Sequence, residues 1–379
     1  MTEISTISSR LLYVDFLRGI AVLGLLLMNT SSMGLLPDGA GVGDTFVEQL
    51  LAIVKTFMLD GRFRSIFCLL LGIGLYLQFT RYQRFNLQSI KLLKSRLHWL
   101  FIFGLCHCVF LWHGDILMLY ALSGLIVIKR LEDTSEQLLK RGCLYFAIGM
   151  VMRVFLSFGL RFFELDSLDM ENDSNVLSYQ ELYTNNIFVA VGQILSFPLS
   201  SMFELCGVMF IGIALFRNGT LQRGFTVFQL WGLAAVTIVF SLVAFFLSNI
   251  STGIVIEYLS SVSGLTMALL FWHWVLKSKC YDKESILVSS VRALGRRPLS
   301  FYIFQSLVIT TMLRFIFPQW NAEFNSVNYF ILALAFIPIQ LFIAYYYDRY
   351  YTQGPLEYLW RHLVSKRSII RNNKPCNRH

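Results

Sequence analysis

A histidine and an aspartate flank a short polar turn between two apolar segments. His107 lies near the end of the segment 97–112, and Asp115 opens the segment 115–128. If both segments cross a bilayer, His107 lies inside the membrane, about two helical turns below the turn, since an α-helix rises ~1.5 Å per residue. Ionisable groups at such depth are costly and usually face a protein interior or a water-filled cavity. This corner is therefore the first candidate for function.

An imidazole beside a carboxylate could act as a general base. The unperturbed pKa of histidine, ~6.5, suits proton transfer near neutral pH. Asp115 could orient the imidazole of His107 or balance the charge of an arginine. A structural role stays open, in which a neutral His107 donates to a backbone carbonyl and Asp115 caps the following helix. The catalytic hypothesis assigns the chemistry to His107 and Asp115.

The first apolar segment, 11–33, carries three polar residues on one face. Asp15 and Arg18 are three residues apart and can pair on a helix. Asn29 lies eleven residues beyond Arg18, only ~20° away around the helix at 100° per residue. The stripe could be an ion pair that fixes helix packing, with Asn29 bonding to a neighbouring helix. Alternatively, Arg18 could hold a phosphate or carboxylate of a ligand.

Charged residues also occur at the start of the second span. Asp60, Arg62 and Arg64 are expected at its outer mouth. They could line a vestibule, or they could anchor the helix where it leaves the lipid, and the anchor is the favoured interpretation.

A single glutamate stands in the middle of the apolar run 197–216. Glu204 is expected either to pair with a buried arginine or to carry protons. Arg18 and Arg314 are the expected partners, and Arg314 is otherwise an anchor near an outer helix end.

The composition predicts an all-α, polytopic transmembrane helix bundle. Apolar residues make up 56% of the 379, charged residues only 15%, and the mean hydropathy is +0.59, whereas soluble domains carry about 25% charge. We predict about ten spans with both termini in the cytoplasm. The predicted spanning segments are 11–33, 65–80, 97–112, 115–128, 143–163, 192–216, 225–247, 255–276, 299–317 and 329–347.

The basic residues indicate topology and not a nucleic-acid partner. The net charge is +9, but Lys and Arg cluster in short loops, and every large cluster falls on one side under this topology, as the positive-inside rule requires. The seven cysteines form no Cys-x-x-Cys pair, so neither a disulfide framework nor a zinc site is predicted. We divide the chain into a bundle, 1–353, and a cytoplasmic amphipathic helix with a basic tail, 354–379.

Four separated motifs combine polar and glycine residues with apolar ones. They are Tyr13-Val-Asp-Phe-Leu-Arg-Gly-Ile-Ala21 with Leu27-Met-Asn29, His107 with Trp112-His-Gly-Asp-Ile-Leu117, Gly295-Arg-Arg-Pro-Leu-Ser-Phe-Tyr302 with Gln305, and Gly354-Pro-Leu-Glu-Tyr-Leu-Trp-Arg361. Together these motifs resemble those of the YeiB family of bacterial inner-membrane proteins. The resemblance covers nearly the whole chain and implies a multi-pass protein of the bacterial inner (cytoplasmic) membrane.

The Asp-x-x-Arg-Gly helix is also similar to that of the wider transmembrane acyltransferase superfamily. This second resemblance implies transfer of an acyl group from cytosolic acyl-CoA, a co-substrate and not a resident cofactor, to an envelope glycan or lipid. Those enzymes usually carry a histidine soon after this helix, and none occurs between Asn29 and Arg96. His107 would take its place. The residues expected to bind substrate are Asp15, Arg18, Asn29, Arg62, Glu204 and Gln305.

Two other functions remain open at this stage. Glu204, Asp115 and His107 could form the proton path of a transporter, although no convincing internal repeat is present. The protein could also be a membrane scaffold without chemistry. The expected partners are the lipid bilayer and a small-molecule, glycan or lipid acceptor. A homo-oligomer is left open, and no metal or nucleic acid is expected.

Overall fold

The computed structural model describes residues 2–34, 45–59, 61–162, 179–247 and 253–372. Within these ranges the secondary structure is helical, with no strand. The α-helices in chain order are α1 Thr2–Met33, α2 Phe46–Val54, α3 Arg62–Arg84, α4 Ser89–Phe110, α5 Leu117–Val127, α6 Ser135–Phe162, α7 Tyr179–Ser200, α8 Met202–Arg217, α9 Thr220–Arg223, α10 Val227–Leu247, α11 Gly253–Ser278, α12 Ile286–Gly295, α13 Pro298–Thr311, α14 Pro318–Glu323, α15 Ser326–Tyr350 and α16 Pro355–Asn372.

Six helical segments of the described chain are long and apolar enough to cross a membrane, or seven if α7 and α8 form one broken span. The all-α membrane bundle is thereby confirmed, whereas the count of ten spans stays a prediction. The helix α5 has 11 residues, fewer than the ~20 that cross a bilayer without help. The six segments are Leu12–Met33, Phe46–Arg84, Val227–Leu247, Leu259–Ser278, Pro298–Ile316 and Ser326–Tyr350.

The segment 192–216, predicted to be one span, is bent in the structure, and its crossing of the membrane stays a prediction. The chain bends by 66° between Gln180–Leu199 and Met202–Arg217. Pro198 lies inside the last turn of α7, where it lacks the N–H that a helix needs and its ring clashes with the preceding turn. The bend places Glu204 in the first turn of α8 and not at the centre of a continuous helix.

The first helix packs closely against α12. At two points the backbones of the two helices approach so closely that no side chain fits between them. A Cβ atom on Gly295 would lie 1.7 Å from the carbonyl oxygen of Asp15, and one on Gly19 would lie 2.0 Å from that of Val291. Only glycine permits such an approach. Neither a span nor a helix was predicted over α12, which has 10 residues and is too short to cross the membrane. Besides α12, α1 contacts α3, α13 and α15.

The last two sequence motifs meet at the α13–α16 junction. The Glu357 carboxylate accepts hydrogen bonds from the backbone N–H groups of Leu299 and Ser300, at 2.9 and 3.1 Å, and from the Ser300 hydroxyl. It therefore caps the N-terminus of α13, where unpaired N–H groups favour an anion. Nearby, Arg297 pairs with Asp348 at 2.7 Å. These motif residues hold the tail helix against the bundle.

Candidate functional site

The turn between α4 and α5 fixes the position of the candidate catalytic pair. The backbone N–H groups of Leu111 and Trp112 both donate to the carbonyl oxygen of His107, which ends α4. The Trp112 indole donates to the carbonyl oxygen of Ser32 at 2.9 Å and ties the turn to α1. Asp115 Oδ2 accepts from the backbone N–H of Met118 at 3.0 Å, so this carboxylate caps the first turn of α5.

His107 and Asp115 form a hydrogen-bonded pair in the protein interior. His107 Nδ1 lies 2.9 Å from Asp115 Oδ1, and neither side chain is exposed. A carboxylate can only accept, so the proton of a neutral imidazole lies on Nδ1 and the lone pair on Nε2. In the described part of the chain, the buried Nε2 has no hydrogen-bond partner. The pair therefore presents a basic nitrogen to the interior.

A glycine one helical turn before His107 makes room for the carboxylate. A Cβ atom on Gly104 would lie 2.8 Å from Asp115 Oδ2 and 2.4 Å from the backbone nitrogen of Met118. Any side chain at this position would push α5 away from α4. The pairing of His107 with Asp115 thus depends on Gly104.

Helix α13 covers the other side of the imidazole. The rings of His107 and Tyr302 have centroids 5.1 Å apart, and the buried Tyr302 lies within electrostatic reach of Asp115. One turn further on, Gln305 is fully buried, and its Oε1 accepts from Gln340 Nε2 at 3.3 Å. Gln305 Nε2 has no hydrogen-bond partner among the described residues. Donor and acceptor atoms that lack partners therefore occur on both α4 and α13.

Glu204 belongs to a second buried cluster. Its carboxylate pairs with Arg64 at 3.3 Å and with Arg153 at 2.5 Å, so the expected partners Arg18 and Arg314 were wrong. Helices α6 and α8 touch at Gly149, where a Cβ would lie 2.8 Å from the Glu204 nitrogen. This contact brings Arg153, one turn beyond Gly149, level with the carboxylate.

Tyr120 lies between the two clusters. Its hydroxyl donates to the carbonyl oxygen of Arg64 at 3.0 Å, and its ring stacks on Phe67 with centroids 5.7 Å apart. The side chain is fully buried and within electrostatic reach of both Asp115 and Glu204. The structure therefore brings these two predicted site residues into one neighbourhood around Tyr120.

The polar stripe of α1 lies elsewhere. Arg18 pairs with Asp15 at 3.3 Å, as predicted, and Arg292 and Arg296 act electrostatically on Asp15. The Trp112 indole of the turn that follows His107 bonds to α1 at Ser32, fourteen residues beyond Arg18 and therefore about 21 Å along the helix. The expected convergence of Arg18 with His107 and Glu204 is thus wrong.

Arg62 is buried against α10 and does not stand at an open mouth. It is 2% exposed, and its Nη2 donates to the Ser241 hydroxyl at 2.8 Å. Arg62 therefore neither lines an open vestibule nor anchors the helix among lipid headgroups. Asn29 is half-buried on α1, and Asp60 lies outside the described residues.

His113 and Arg314 close the end of the bundle beyond the dyad. Arg314 Nε donates to the carbonyl oxygen of Met33 at 3.0 Å, and Gln193 Nε2 donates to that of His113 at 3.0 Å. Burial, and secondarily the positive charge of Arg314, lowers the pKa of His113. The lowered pKa favours the neutral form of His113.

Three residues of this region had no role in the sequence-based hypothesis. Arg153, like Glu204, is a charged residue inside an apolar run, and this pattern could have identified it from the sequence. Tyr302 ends a recognised motif, and Tyr120 lies five residues after Asp115, but a tyrosine in an apolar helix gives no signal of its own. Among the described residues, no three His, Cys, Asp or Glu side chains form a group that could hold a metal ion.

Comparison with known proteins agrees with the motif pattern. The family described as "Protein of unknown function (DUF418)" matches residues 210–367. The uncharacterized protein YeiB of Escherichia coli (strain K12) is 26% identical over 386 residues, which cover 93% of this chain and 95% of the relative. The chain is therefore similar to YeiB over nearly its whole length.

Two further proteins that are similar to this chain are also bacterial. An uncharacterized 39.9 kDa protein in the amylase 3′ region of Bacillus acidopullulyticus is 26% identical, with 94% of both chains covered. The uncharacterized protein YxaH of Bacillus subtilis (strain 168) is 22% identical, with 93% of this chain and 94% of the relative covered. No solved structure matches the chain. The matched region 210–367 contains the α13–α16 junction but not the His107–Asp115 pair.

Proposed function

We propose that this protein is a member of the YeiB family and an acyltransferase of the bacterial inner membrane. It would move an acyl group from a cytosolic acyl-CoA-type donor to a hydroxyl or amine of an envelope glycan or lipid. The observation that carries the proposal is the buried His107–Asp115 pair, because its Nε2 is a base held in place with no protein group to neutralise it. Burial strengthens the electrostatic coupling between imidazole and carboxylate.

In the proposed reaction His107 accepts one proton when the acceptor attacks the thioester and returns it when the thiolate leaves. His107 Nε2 takes the proton from the acceptor hydroxyl as its oxygen attacks the thioester carbonyl, so a C–O bond forms. The C–S bond then breaks, and the imidazolium returns the proton to the departing thiolate. Asp115 stabilises the imidazolium and fixes its tautomer, as the aspartate of a hydrolase triad does. The Tyr302 ring, 5.1 Å away between centroids, limits rotation of the imidazole.

The other residues predicted to bind substrate lie in different surroundings, and these suggest different roles. Gln305 lies one turn beyond Tyr302, the residue whose ring faces His107, and its buried amide nitrogen could bind the acceptor. Asp15 and Arg18, with Arg292 and Arg296 nearby, suit contact with an anionic donor at the predicted cytoplasmic end of α1. Asn29 lies on α1 between these two regions. Arg62 and Glu204 are hydrogen-bonded within the protein, which favours a role in positioning helices.

The experiment measures acyl transfer in cells and with purified protein. A deletion strain is complemented with wild type, His107→Ala or the control His362→Ala, whose imidazole is exposed on α16. Mass spectrometry compares the acylation of envelope glycans and lipids, and thiol release from acyl-CoA is followed in nanodiscs. We expect His107→Ala to match the deletion strain and His362→Ala to match wild type. An acylation profile identical in wild type and deletion strain, with no thiol release, would sink the proposal.

One observation favours a second function, proton-coupled transport. The α7–α8 span is broken at 66°, and Glu204 lies in the first turn after the break. Transporters place ionisable groups at such interrupted helices. Solute flux into proteoliposomes that requires Glu204 but not His107 would support transport in place of acyl transfer.

A further inference from the structure

A basic cleft lies far from the His107–Asp115 pair, where the tail helix packs on the bundle. The cleft has a volume of about 560 Å³ and opens between the α3–α4 connection, the first turns of α4, and α16. The positive-inside pattern places it at the cytoplasmic surface of the membrane. No predicted site residue lies in it.

The charge of the cleft is of one sign. Its described lining includes no aspartate or glutamate. Lys91 Nζ donates a hydrogen bond to the neutral amide oxygen of Gln88 at 2.7 Å. Positive side chains without a facing carboxylate attract an anion from solution or from a membrane surface. The basic residues of the lining are Lys91, Lys94, Arg96, His98 and Arg361.

Arg96 is held rigidly at the base of the cleft. Its guanidinium lies over the Trp360 ring, 4.2 Å from the centroid, and the Trp360 indole donates to the Arg96 carbonyl oxygen at 2.9 Å. A stacked guanidinium keeps its N–H fork oriented, which suits bidentate recognition of phosphate oxygens. The α16 helix thus completes the cleft and also orders its central arginine.

The start of α4 adds a second source of positive potential. The N-cap residue Gln88 makes no side-chain cap, so the first N–H groups of this 22-residue helix are not satisfied by it. Such N–H groups bind phosphate readily. Apolar side chains of Leu87, Leu92 and Val364 complete the lining and suit a ligand that is both anionic and partly apolar.

We propose that this cleft binds a phosphate-bearing ligand at the cytoplasmic membrane surface. The phosphate could belong to an anionic phospholipid headgroup or to a soluble compound such as coenzyme A, because both offer the same oxygens to Lys91, Lys94 and Arg361. The proposal concerns binding alone and is independent of the acyl transfer proposed for His107.

The test uses full-length protein in detergent and native mass spectrometry. The probes are dioctanoyl phosphatidylglycerol and coenzyme A, with dioctanoyl phosphatidylcholine as the reference without net charge. The variant combines Lys91→Gln, Lys94→Gln and Arg361→Gln. The control combines Lys277→Gln, Lys279→Gln and Lys283→Gln, three exposed lysines outside the cleft. Both variants must elute as wild type does.

We expect wild type and control to bind phosphatidylglycerol, coenzyme A or both more tightly than the reference. The cleft variant should lose roughly tenfold or more in affinity, because each charged hydrogen bond contributes substantially, and binding should weaken as salt is raised. Preference for the lipid identifies a headgroup site, and preference for coenzyme A a soluble ligand. If wild type binds neither probe above the reference, or if both variants lose affinity equally, the cleft is not a phosphate site.

Discussion

His107 Nδ1 and Asp115 Oδ1 lie 2.9 Å apart across the turn that joins α4 to α5, and the same aspartate caps α5 through its second oxygen. One carboxylate therefore both builds the turn and orients the imidazole. The structural and the catalytic interpretations of Asp115 are not alternatives, since each oxygen has its own partner. Variants that separate the two roles are the informative ones.

The first prediction separates capping from charge at position 115. Asp115→Asn keeps an oxygen that can accept from the Met118 N–H, but it removes the charge that stabilises a protonated His107. We expect the purified variant to keep its melting temperature within a few degrees while thiol release from acyl-CoA falls by about 10²-fold or more, since general-base catalysis contributes roughly that much. Asp115→Ala should lose both activity and stability, because a cap is worth about 1 kcal/mol.

Equal loss of stability in Asp115→Asn and Asp115→Ala would contradict this division of roles. An active Asp115→Asn variant would mean that the carboxylate is structural only. Melting curves and thiol release measured on the same preparations distinguish these outcomes.

The second prediction concerns the space at Gly104. In Gly104→Ala the new Cβ would stand 2.8 Å from Asp115 Oδ2 and 2.4 Å from the Met118 nitrogen, and backbone atoms cannot move aside cheaply. We expect a loss of about 1–3 kcal/mol in the free energy of unfolding, visible as a lower melting temperature in detergent, together with loss of the His107-dependent activity.

The matched control is Gly192→Ala. A Cβ at Gly192 meets no atom within 4 Å, and alanine favours helix more than glycine does. Its melting temperature should therefore equal or exceed that of wild type. If Gly104→Ala were as stable and active as Gly192→Ala, the close packing of α4 on α5 would not matter to the site.

Much of this architecture could be predicted from the sequence, because lipid-facing helices need long apolar runs. The central hairpin followed from the apolar runs 97–112 and 115–128, and its turn from the polar residues between them. The partner of Glu204 could not be predicted, since Arg64 and Arg153 reach it through contacts between α3, α6 and α8 that depend on glycines such as Gly149. Helical periodicity specifies a face of one helix but not which helix covers it.

The third prediction tests the ion cluster around Glu204. Glu204→Gln leaves the buried guanidinium group of Arg153 and the half-buried one of Arg64 without their carboxylate. Removing one member of a buried ion pair typically costs about 3–5 kcal/mol, so we expect a clear fall in melting temperature or in the yield of folded protein. Glu136→Gln is the control, because the exposed Glu136–Lys140 pair on α6 should contribute little.

This variant also separates the two candidate functions. If Glu204 only positions helices, Glu204→Gln lowers activity no more than it lowers the amount of folded protein. Flux that vanishes in folded Glu204→Gln but persists in His107→Ala would instead favour the transporter.

The last prediction concerns Glu357 and the docking of the tail helix. In Glu357→Ala the first N–H groups of α13 and the Ser300 hydroxyl lose their acceptor, and no other carboxylate in the described chain pairs with them. The α16 helix is then held by Trp360 on Arg96, by the bond from the Leu356 N–H to the Ser300 hydroxyl and by the packing of Leu356. We expect trypsin to cut after Arg361 several times faster than in wild type, because proteolysis follows the population of locally open states. Trp360 fluorescence should shift to longer wavelength as the indole leaves Arg96.

The control is Glu132→Ala, at an exposed position before α6, which should leave both measurements unchanged. If cleavage of Glu357→Ala matched wild type, the packing of α16 on α4 would suffice to hold the tail, and the carboxylate at the start of α13 would contribute to that helix alone.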